Sequence, residues 1–585
     1  MRKGFVHQVL AAALGGLCAL ALVAGLVALK FAGGKEKIRD RSWLVMDLYG
    51  SLPEYDAPGG VAGAVLGGGQ TLQQALTGLE MARVDDRIAG VILKLSANFG
   101  AGAGKLQELR DAVHATRRAG KPVVGWADSM DRSTYWLAAA CDTLLMPPTA
   151  SMQLVGFSQS SLHLKNLLDR LGVKENLHKI KDYKAAAEML QRADASPEAI
   201  ENRQWMMKER WEMFVADLQA DRGLSETRIT ELMQKALLTP AEAVEARLLD
   251  RLAYWDELEA ALKGEDDERL RVVGLERYAQ EKPAKLGLKG KKTVAVIHVH
   301  GMLGGRESRV DPLLGPMIGH ETVCAQLRRA RRDKDVAAII FRVDSSGGEA
   351  VCSDLIGHEV EVTANVKPVV VSMVDAAASG GYGVSYRATK ILALPATTTG
   401  SIGSISGKLN IGGLLDKLGV TGSDVTLGPN ALMESDRRDY TAQEWALFTA
   451  NHWREFNAWL ADIAAHRGLD FAAAERLAHG RVWTGRQAKE NRLIDDIGGL
   501  PRAIEVAKEL ARIPAGEKVT VAHYPEKKGL LESLTGDGGP DEGGDKSVAL
   551  EAVGLAGWRT REALGETWRF MAGSSLMLAP AWAGD

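Results

Sequence analysis

The 585-residue sequence has few cysteines and almost no net charge, and each shortage excludes a class of protein. The four cysteines are widely scattered, so no pair has metal-ligand spacing, and a disulfide framework is not expected in so long a chain. The 72 basic and 75 acidic residues leave a net charge of −3, whereas nucleic-acid-binding domains are usually basic. With 46% hydrophobic residues the chain can bury several cores, which excludes a disordered protein. We expect no metal, no cofactor and no nucleic-acid partner.

Long uncharged stretches are also rare, and only one is long enough to cross a membrane. Val9–Leu29 contains no charged residue, and as a helix it would span about 30 Å, the thickness of a bilayer core. A cleaved signal peptide, the alternative, usually has a shorter apolar core. We therefore predict an uncleaved membrane anchor over residues 1–40. More basic residues follow the segment than precede it, which by itself would favour a cytoplasmic body.

The rest of the chain contains an internal repeat. Four sequence blocks recur in the same order, at offsets that fall from 251 to 245 residues. The matched blocks are Ser42–Leu52 with Thr293–Leu303, Asp85–Leu95 with Asp333–Val343, Lys121–Val124 with Lys367–Val370, and Leu238–Leu252 with Trp483–Ile497. So long a period indicates two similar domains rather than a solenoid. We predict a first repeat over residues 41–282, a second over residues 291–522, and a flexible linker and C-terminal tail over residues 523–585.

Each repeat alternates short apolar runs with helical patterns. Val294–His300, Ala337–Val343 and Pro368–Val374 have the composition of strands, whereas Glu321–Arg332 and Glu349–Thr363 have helical periodicity. Strands separated by helices predict largely parallel sheets and therefore an α/β fold. The tail contains three tryptophans, which leaves open whether it docks on the body.

The two repeats differ at a turn that could hold a nucleophile. In the second repeat a predicted strand runs into the small-residue segment Asp375–Gly383, which contains Ser379 and a glycine pair. Such a turn can expose a hydroxyl while backbone N–H groups face the same space, as a nucleophile with an oxyanion hole requires. The matching first-repeat segment, Asp128–Trp136, has Ser133 but no glycine pair. The alternative is that Ser379 occupies a tight packing turn without a catalytic role.

Two kinds of base could activate Ser379. One is a histidine, because Ala377–Gly381 fits a loosened nucleophile elbow and four histidines lie downstream. These histidines are His452, His466, His479 and His523. The other is a lysine that burial keeps neutral. Lys184 precedes three alanines in the first repeat, and Asn430 replaces it in the second. Packing histidines and a solvated Lys184 are the plain alternatives, so the residues alone leave the base open.

Several motifs together resemble the long, duplicated form of the signal peptide peptidase A family. They are VDSSGG (343–348), KPVVVSMVDAAASGGY (367–382), TGSIGSIS (399–406), TGRQAKENRLIDDIGG (484–499) and the first-repeat segment DYKAAAE (182–188). The resemblance implies two tandem Clp-protease/crotonase-like domains behind an N-terminal transmembrane helix. It also implies a bacterial inner-membrane serine protease with its catalytic body in the periplasm and a homotetrameric assembly.

The resemblance also implies a role for three side chains. Ser379 would be the nucleophile and Lys184 the general base of a Ser–Lys dyad. Ser401 matches a family serine that hydrogen-bonds near the lysine, although it could equally be a plain turn residue. The implied substrates are apolar peptides, in particular leftover signal peptides, whose cores are apolar.

Two backbone N–H groups, from among three candidate glycines, are implied to form the oxyanion hole. Gly380 would supply one, and Gly347 or Gly348 the other. Ser346 stands where the family usually has proline, which predicts a less rigid loop and leaves open which of the two glycines donates.

Two other functions stay open beside the protease. A His-dependent serine hydrolase of the α/β-hydrolase type would have one unrepeated sheet and an essential downstream histidine, and the duplication argues against it. A catalytically dead membrane scaffold would keep the fold without turnover. The presence of Ser379, Lys184 and Ser401 argues against the scaffold.

Overall fold

The computed structural model describes residues 37–55, 70–96, 98–265, 267–311, 314–525 and 576–578. The predicted membrane segment Val9–Leu29, the predicted linker Glu526–Lys546 and the three tail tryptophans lie outside these residues. Across the ranges that are described, no helix is both long and apolar enough to cross a membrane.

The first half of the chain forms a six-stranded parallel sheet with helices packed around it. In sheet order the strands are Val272–Gly274, Ser42–Leu48, Ile88–Leu95, Val123–Ala127, Thr143–Met146 and Arg251–Leu252. The helices of this half are Leu72–Val84, Ala103–Arg118, Arg132–Ala138, Lys165–Leu171, Glu188–Gln191, Pro197–Arg222, Glu226–Lys235, Pro240–Glu245, Trp255–Leu262 and Leu275–Tyr278, with 3-10 turns at Ala185–Ala187 and Pro283–Leu286. The central strands are buried on both faces, as parallel sheets covered by helices require.

The second half forms a largely parallel sheet with the same strand order. Its six corresponding strands are Val519–Tyr524, Lys292–His300, Val336–Ser345, Val369–Ala378, Lys390–Ala393 and Asp496–Ile497. Thr398–Gly400 also pairs with the end of the fourth strand, and Val482–Thr484 pairs antiparallel with Thr398–Gly400. The helices are His320–Arg332, Ala350–Ala364, Gly380–Gly383, Gly412–Lys417, Ala442–Arg467, Phe471–Leu477, Gly485–Glu490 and Leu500–Leu510. Because six strands occupy matching positions in both halves, the predicted duplication and α/β class are confirmed. The finer Clp-protease/crotonase-like assignment stays a prediction.

Two strands extend further than the sequence predicted. The strand Val369–Ala378 continues four residues past Val374, because Ala377 and Ala378 are fully buried and pair with Thr399 and Gly400. The strand Val519–Tyr524 passes the predicted end of the second repeat at residue 522. There Tyr524 is buried, and the ring of His523 stacks on that of His298.

A seven-stranded sheet, here called the joining sheet, connects the two repeats. In order its strands are Arg309–Asp311, Gly315–Ile318, Met302–Leu303, Gly347–Glu349, Leu576–Leu578, Ile405–Asn410 and Lys174–Lys179. Lys174–Lys179 comes from the first repeat and pairs antiparallel with Ile405–Asn410 over its whole length. This pairing carries the residues that follow Lys179, including Lys184, into the second repeat. A separate small sheet contains Ser129–Met130, Ser151–Leu154 and Ala236–Leu238.

A buried cluster of charges also crosses between the repeats. Arg342, on the second sheet, is fully buried, and its Nε donates to Glu54 Oε1 at 2.7 Å. Its Nη1 donates to Ser372 Oγ at 2.8 Å, and its Nη2 contacts the carboxylate of Glu108. Burial raises the pKa of Glu54, although Arg342 opposes the shift. Because both glutamates belong to the first repeat, these charges are compensated only while the repeats are docked.

We expect Arg342→Met to destabilise the fold by about 3–5 kcal/mol, because two buried carboxylates would lose their cation. The measurement is the midpoint of urea denaturation. Arg228→Met is the matched control, since Arg228 pairs with Glu231 on the surface and exposed pairs contribute at most about 1 kcal/mol. Equal midpoints for the two variants would mean that the cluster does not hold the repeats together.

Candidate active site

Ser379 lies between the strand Val369–Ala378 and the short helix Gly380–Gly383. Its φ of 56° falls in the left-handed region, which residues with a β-carbon rarely adopt. Two backbone hydrogen bonds hold this turn: Ser379 N–H donates to Gly400 O at 2.7 Å, and Gly383 N–H donates to Ser379 O at 2.8 Å. A strained conformation held in this way at a strand-to-helix junction is typical of functional residues.

The glycines near Ser379 permit a close approach of two backbone segments. A Cβ on Gly380 would lie 2.5 Å from Ser353 Oγ and 3.1 Å from Gly348 N, so a larger residue would push the segments apart. Gly348 has a φ of +154°, also disfavoured for other residues. The N–H of Gly347 is already donated to Ser345 Oγ at 3.2 Å. Of the predicted pair, Gly347 thus has a local partner for its N–H, and Gly348 is the one whose nitrogen lies near Gly380.

Lys184 reaches the same place from the first repeat. After the strand Lys174–Lys179, the chain stays bound to the second repeat, where Ile180 N–H donates to Ser404 O at 2.9 Å. Gly480 packs directly on the lysine backbone, because a Cβ at that position would lie 2.4 Å from Lys184 N. The Lys184 Nζ then lies 2.7 Å from Ser379 Oγ, 3.0 Å from Ser401 Oγ and 2.9 Å from Ser401 O. The structure thus brings the three predicted side chains together across the two repeats.

The site is closed to solvent, and this changes the acidity of the lysine. Lys184, Ser379 and Ser401 are each 0% exposed. Burial lowers the pKa of Lys184 well below its usual value, because the ammonium loses its hydration. The shift favours the neutral amine, which is the form that can accept a proton.

Lys105 shows how unusual the surroundings of Lys184 are. Lys105 is also buried, but its Nζ lies 2.9 Å from Asp344 and 3.1 Å from Asp375. Burial disfavours its charge, yet the two carboxylates outweigh burial and raise the pKa of Lys105. The surroundings of Lys105 therefore favour its charged form, whereas those of Lys184, which lies at Ser379, favour the neutral form.

Of the plain alternatives, the solvated Lys184 is wrong, whereas the histidines that contact other residues agree with the structure. Lys184 is buried rather than solvated. Each downstream histidine has a described partner other than Ser379: His178 and Ser404 for His452, Asp462 for His466, Glu475 for His479, and His298 for His523. Ser133 lies in the helix Arg132–Ala138 of the first repeat, and the first-repeat turn has no counterpart of the glycine pair.

Support for Ser401 comes from a helix that sequence reasoning missed. Asn202, on the helix Pro197–Arg222, exchanges two hydrogen bonds with the backbone of Val482, at 3.1 and 3.0 Å. Trp205 Nε1 donates to the same carbonyl at 3.0 Å. The preceding residue, Arg481, accepts the N–H of Ser401 at 2.6 Å. No local motif marks Asn202 or Trp205, because their partners lie in the other repeat.

Comparison with known proteins gives one family for both halves. Peptidase family S49 matches residues 115–268 and again residues 361–514. Serine protease SPPA of the Arabidopsis thaliana chloroplast is 30% identical over 528 residues, 88% of this chain and 76% of that protein. Protease 4 of Salmonella typhi is 30% identical over 488 residues, 80% of this chain and 76% of that protein. A protein named for signal peptide peptidase SppA in Enterococcus faecium is 31% identical over 219 residues, 37% of this chain and 63% of that protein.

The family match is repeated along the chain, and the repetition agrees with the two sheets of equal strand order. From the double match and the long alignments, the chain belongs to peptidase family S49 and is a serine protease.

Proposed function

We propose that this protein is a membrane-bound serine endopeptidase with Ser379 as nucleophile and Lys184 as general base. The distance of 2.7 Å between Lys184 Nζ and Ser379 Oγ, inside a site closed to solvent, carries this proposal. A general base must lie within hydrogen-bond reach of the proton it takes and must be unprotonated to take it. Lys184 meets the first condition by geometry, and its lowered pKa favours the second.

Ser401 would orient the lysine. A neutral amine has two N–H bonds and one lone pair. The carbonyl oxygen of Ser401 can only accept, and Ser401 Oγ can accept as well, so both N–H bonds of Lys184 can be directed at Ser401. The lone pair is then left for the O–H of Ser379. In this arrangement Ser401 is a positioning residue that turns the basic electron pair toward the nucleophile.

The reaction would proceed through an acyl-enzyme. Ser379 Oγ attacks the peptide carbonyl carbon while its proton passes to Lys184 Nζ, and the charged oxygen is stabilised by the N–H groups of Gly380 and Gly348. The C–N bond then breaks, and the Lys184 ammonium gives its proton to the leaving amine. A water molecule next gives a proton to Lys184 and attacks the ester carbon. The ester C–O bond then breaks while the Lys184 ammonium returns its proton to Ser379 Oγ, and the peptide leaves with its new carboxyl group.

Apolar peptides, with remnant signal peptides foremost, are the substrates we propose. The name of the Enterococcus faecium relative supports this class. The predicted anchor at residues 1–40 would hold the enzyme at the inner membrane, with the body in the periplasm, where such peptides remain after secretion. Both the anchor and the orientation belong to the proposal.

We also propose that the protein assembles as a homotetramer. Exposed apolar side chains from both repeats support association, because such patches often mark contact surfaces. Leu171 of the first repeat is 40% exposed and Leu418 of the second is 67% exposed. They lie in adjoining segments, since Lys417 Nζ contacts the carbonyl of Arg170.

Ser379→Ala should lower the rate of peptide hydrolysis by a factor of about 1,000 or more, because loss of a covalent nucleophile removes the whole reaction path. The fold should be unchanged, since only one buried hydroxyl is lost. Hydrolysis of an apolar fluorogenic peptide and the thermal midpoint are the two measurements. Ser133→Ala is the control and should keep wild-type activity. More than about a tenth of wild-type activity in Ser379→Ala would remove Ser379 from its proposed role.

Replacing Lys184 should separate activity from stability. In wild type, kcat/KM should rise with pH through an apparent pKa well below the usual lysine value of about 10.4. Lys184→Met should be as inactive as Ser379→Ala, and Lys184→Arg should not restore activity, because a guanidinium stays protonated. The unfolded chain binds a proton at Lys184 that the folded chain disfavours, so this group opposes folding below the usual lysine pKa and less so as pH rises.

The thermal midpoint of Lys184→Met should therefore exceed that of wild type at pH 7, and the difference should shrink at pH 10. Lys181→Met is the control. Lys181 precedes Lys184 by only three residues, but its side chain is partly exposed and pairs with Glu475. It should change neither the pH profile nor the midpoint by much. An active Lys184→Met protein would place the base elsewhere.

Deleting Met1–Lys30 should release the protein from membranes without loss of activity on a soluble peptide, because both proposed catalytic groups lie in the repeats. Fractionation of cell extracts and kcat/KM measure the two effects, and light scattering of the released protein tests for four chains. If the truncated protein folds but is inactive on the soluble peptide, the residues removed contribute to catalysis.

A further inference from the structure

The buried side chain of Lys105 joins the two backbone segments that carry the proposed oxyanion donors. It comes from a helix of the first repeat, yet its Nζ lies 2.9 Å from Asp344 and 3.1 Å from Asp375 of the second repeat. Asp344 lies shortly before Gly348 in the chain, and Asp375 lies shortly before Ser379. One cation of the first repeat therefore contacts both the segment that leads to Gly348 and the segment that leads to the nucleophile.

The two strands that carry these aspartates are out of step at the same place. Their pairing shifts by two residues, from Val343 with Met373 to Ser345 with Ala377. The extra residues form a bulge, and bulges next to active sites re-aim side chains. Asp344 holds the bulge in place, because its Oδ1 accepts the N–H of Ala376 at 3.1 Å.

The helix that carries Lys105 packs directly on this bulge. Asp375 Oδ1 accepts the backbone N–H of Lys105 at 2.9 Å, so a carboxylate of one repeat caps a helix N-terminus of the other. A Cβ on Gly104 would lie 2.5 Å from Val374 O, and a Cβ on Gly102 would overlap the Asp375 carboxylate. These two glycines let the helix approach closely. Backbone and side-chain contacts together therefore fix the bulge relative to the first repeat.

The Lys105 ammonium balances two buried carboxylates. Burial would raise the pKa of Asp344, but Lys105 outweighs burial, with help from His300, and holds that pKa below its usual range. His300 Nδ1 lies 3.3 Å from Asp344 Oδ2. Without the ammonium, Asp344 and Asp375 would lie close together in a buried place with no cation between them. Their repulsion would move the two backbone segments apart.

We propose that Lys105 is a positioning residue for the reaction, which holds the N–H groups of Gly348 and Gly380 at the spacing that the oxyanion needs. Such donors stabilise the charged oxygen only when they lie about 3 Å from it, so a small shift of either segment weakens them. The first repeat then supplies two lysines with different tasks. Neutral Lys184 takes the proton, and charged Lys105 fixes the oxyanion donors. The inference rests on the proposed function, because it concerns the same site.

The test compares Lys105→Met with Arg110→Met. Arg110 is the matched control, because it is buried on the same helix and pairs with two aspartates, Asp217 and Asp221, that belong to its own repeat. Both variants should have a lower thermal midpoint, since each leaves carboxylates without their cation. At a temperature where both are folded, kcat of Lys105→Met should fall about 100-fold with KM nearly unchanged, because the lost interaction acts only in the transition state. In Arg110→Met, kcat should stay within about twofold of wild type.

Inhibition by a peptide aldehyde gives a readout that a loss of stability does not change. Ser379 Oγ bonds to the aldehyde carbon while its proton passes to Lys184, and the former carbonyl oxygen of the adduct occupies the oxyanion position. In Lys105→Met the inhibition constant should therefore rise by about the factor by which kcat falls. In Arg110→Met it should stay at the wild-type value.

Asp375→Asn keeps the test decisive if Lys105→Met does not fold. The asparagine retains an oxygen for the backbone N–H of Lys105 but removes one charge that faces the ammonium. It should show the same paired changes in kcat and in the aldehyde inhibition constant, at about tenfold.

The outcomes separate this inference from the proposed function. Wild-type kcat in folded Lys105→Met, or in Asp375→Asn, would overturn the role of Lys105 and leave the Ser–Lys proposal standing. A fall in kcat without a matching rise in the aldehyde inhibition constant would also overturn it, because the oxyanion donors would then still be in place. Equal losses in Lys105→Met and Arg110→Met would show an effect of stability alone. The proposed function fails by a different measurement, namely activity retained in Ser379→Ala.

Discussion

A lysine amine held away from water is the feature on which the proposed chemistry depends. Lys184 loses the hydration that an ammonium needs, and no carboxylate lies among the contacts described for its Nζ. The low-energy state of such a buried group is neutral. Lys105 shows that the same chain can bury a lysine as a cation, when two carboxylates compensate it. The protonation state of a buried lysine therefore depends on whether carboxylates lie beside the amine, and not on burial alone.

The surroundings of Lys184 come from both repeats, so the site exists only when the repeats are docked. The first repeat supplies the lysine and the buried Ala185 and Ala187, whereas the second supplies Ser401 and the backbone of Gly480. Several unrelated contacts hold this docking: the strand Lys174–Lys179, the Arg342 cluster and the Asn202 hydrogen bonds. The two repeats thus have similar sheets, but each supplies only part of the proposed catalytic pair. A change that weakens the packing between the repeats should therefore reduce activity before it unfolds either sheet.

The parts of the fold that sequence predicts well are those encoded locally. Strand and helix periodicity located the elements of the second repeat, and small residues located the Ser379 turn. The approach of Lys184 to Ser379 is not local, because 195 positions separate them. Residue patterns alone left both the histidines and Lys184 as candidates, and only the family resemblance selected the lysine. Arg342 interrupts an apolar strand, which signals a buried partner without naming it. Leu576–Leu578 carries no such signal, since three apolar residues fit many environments.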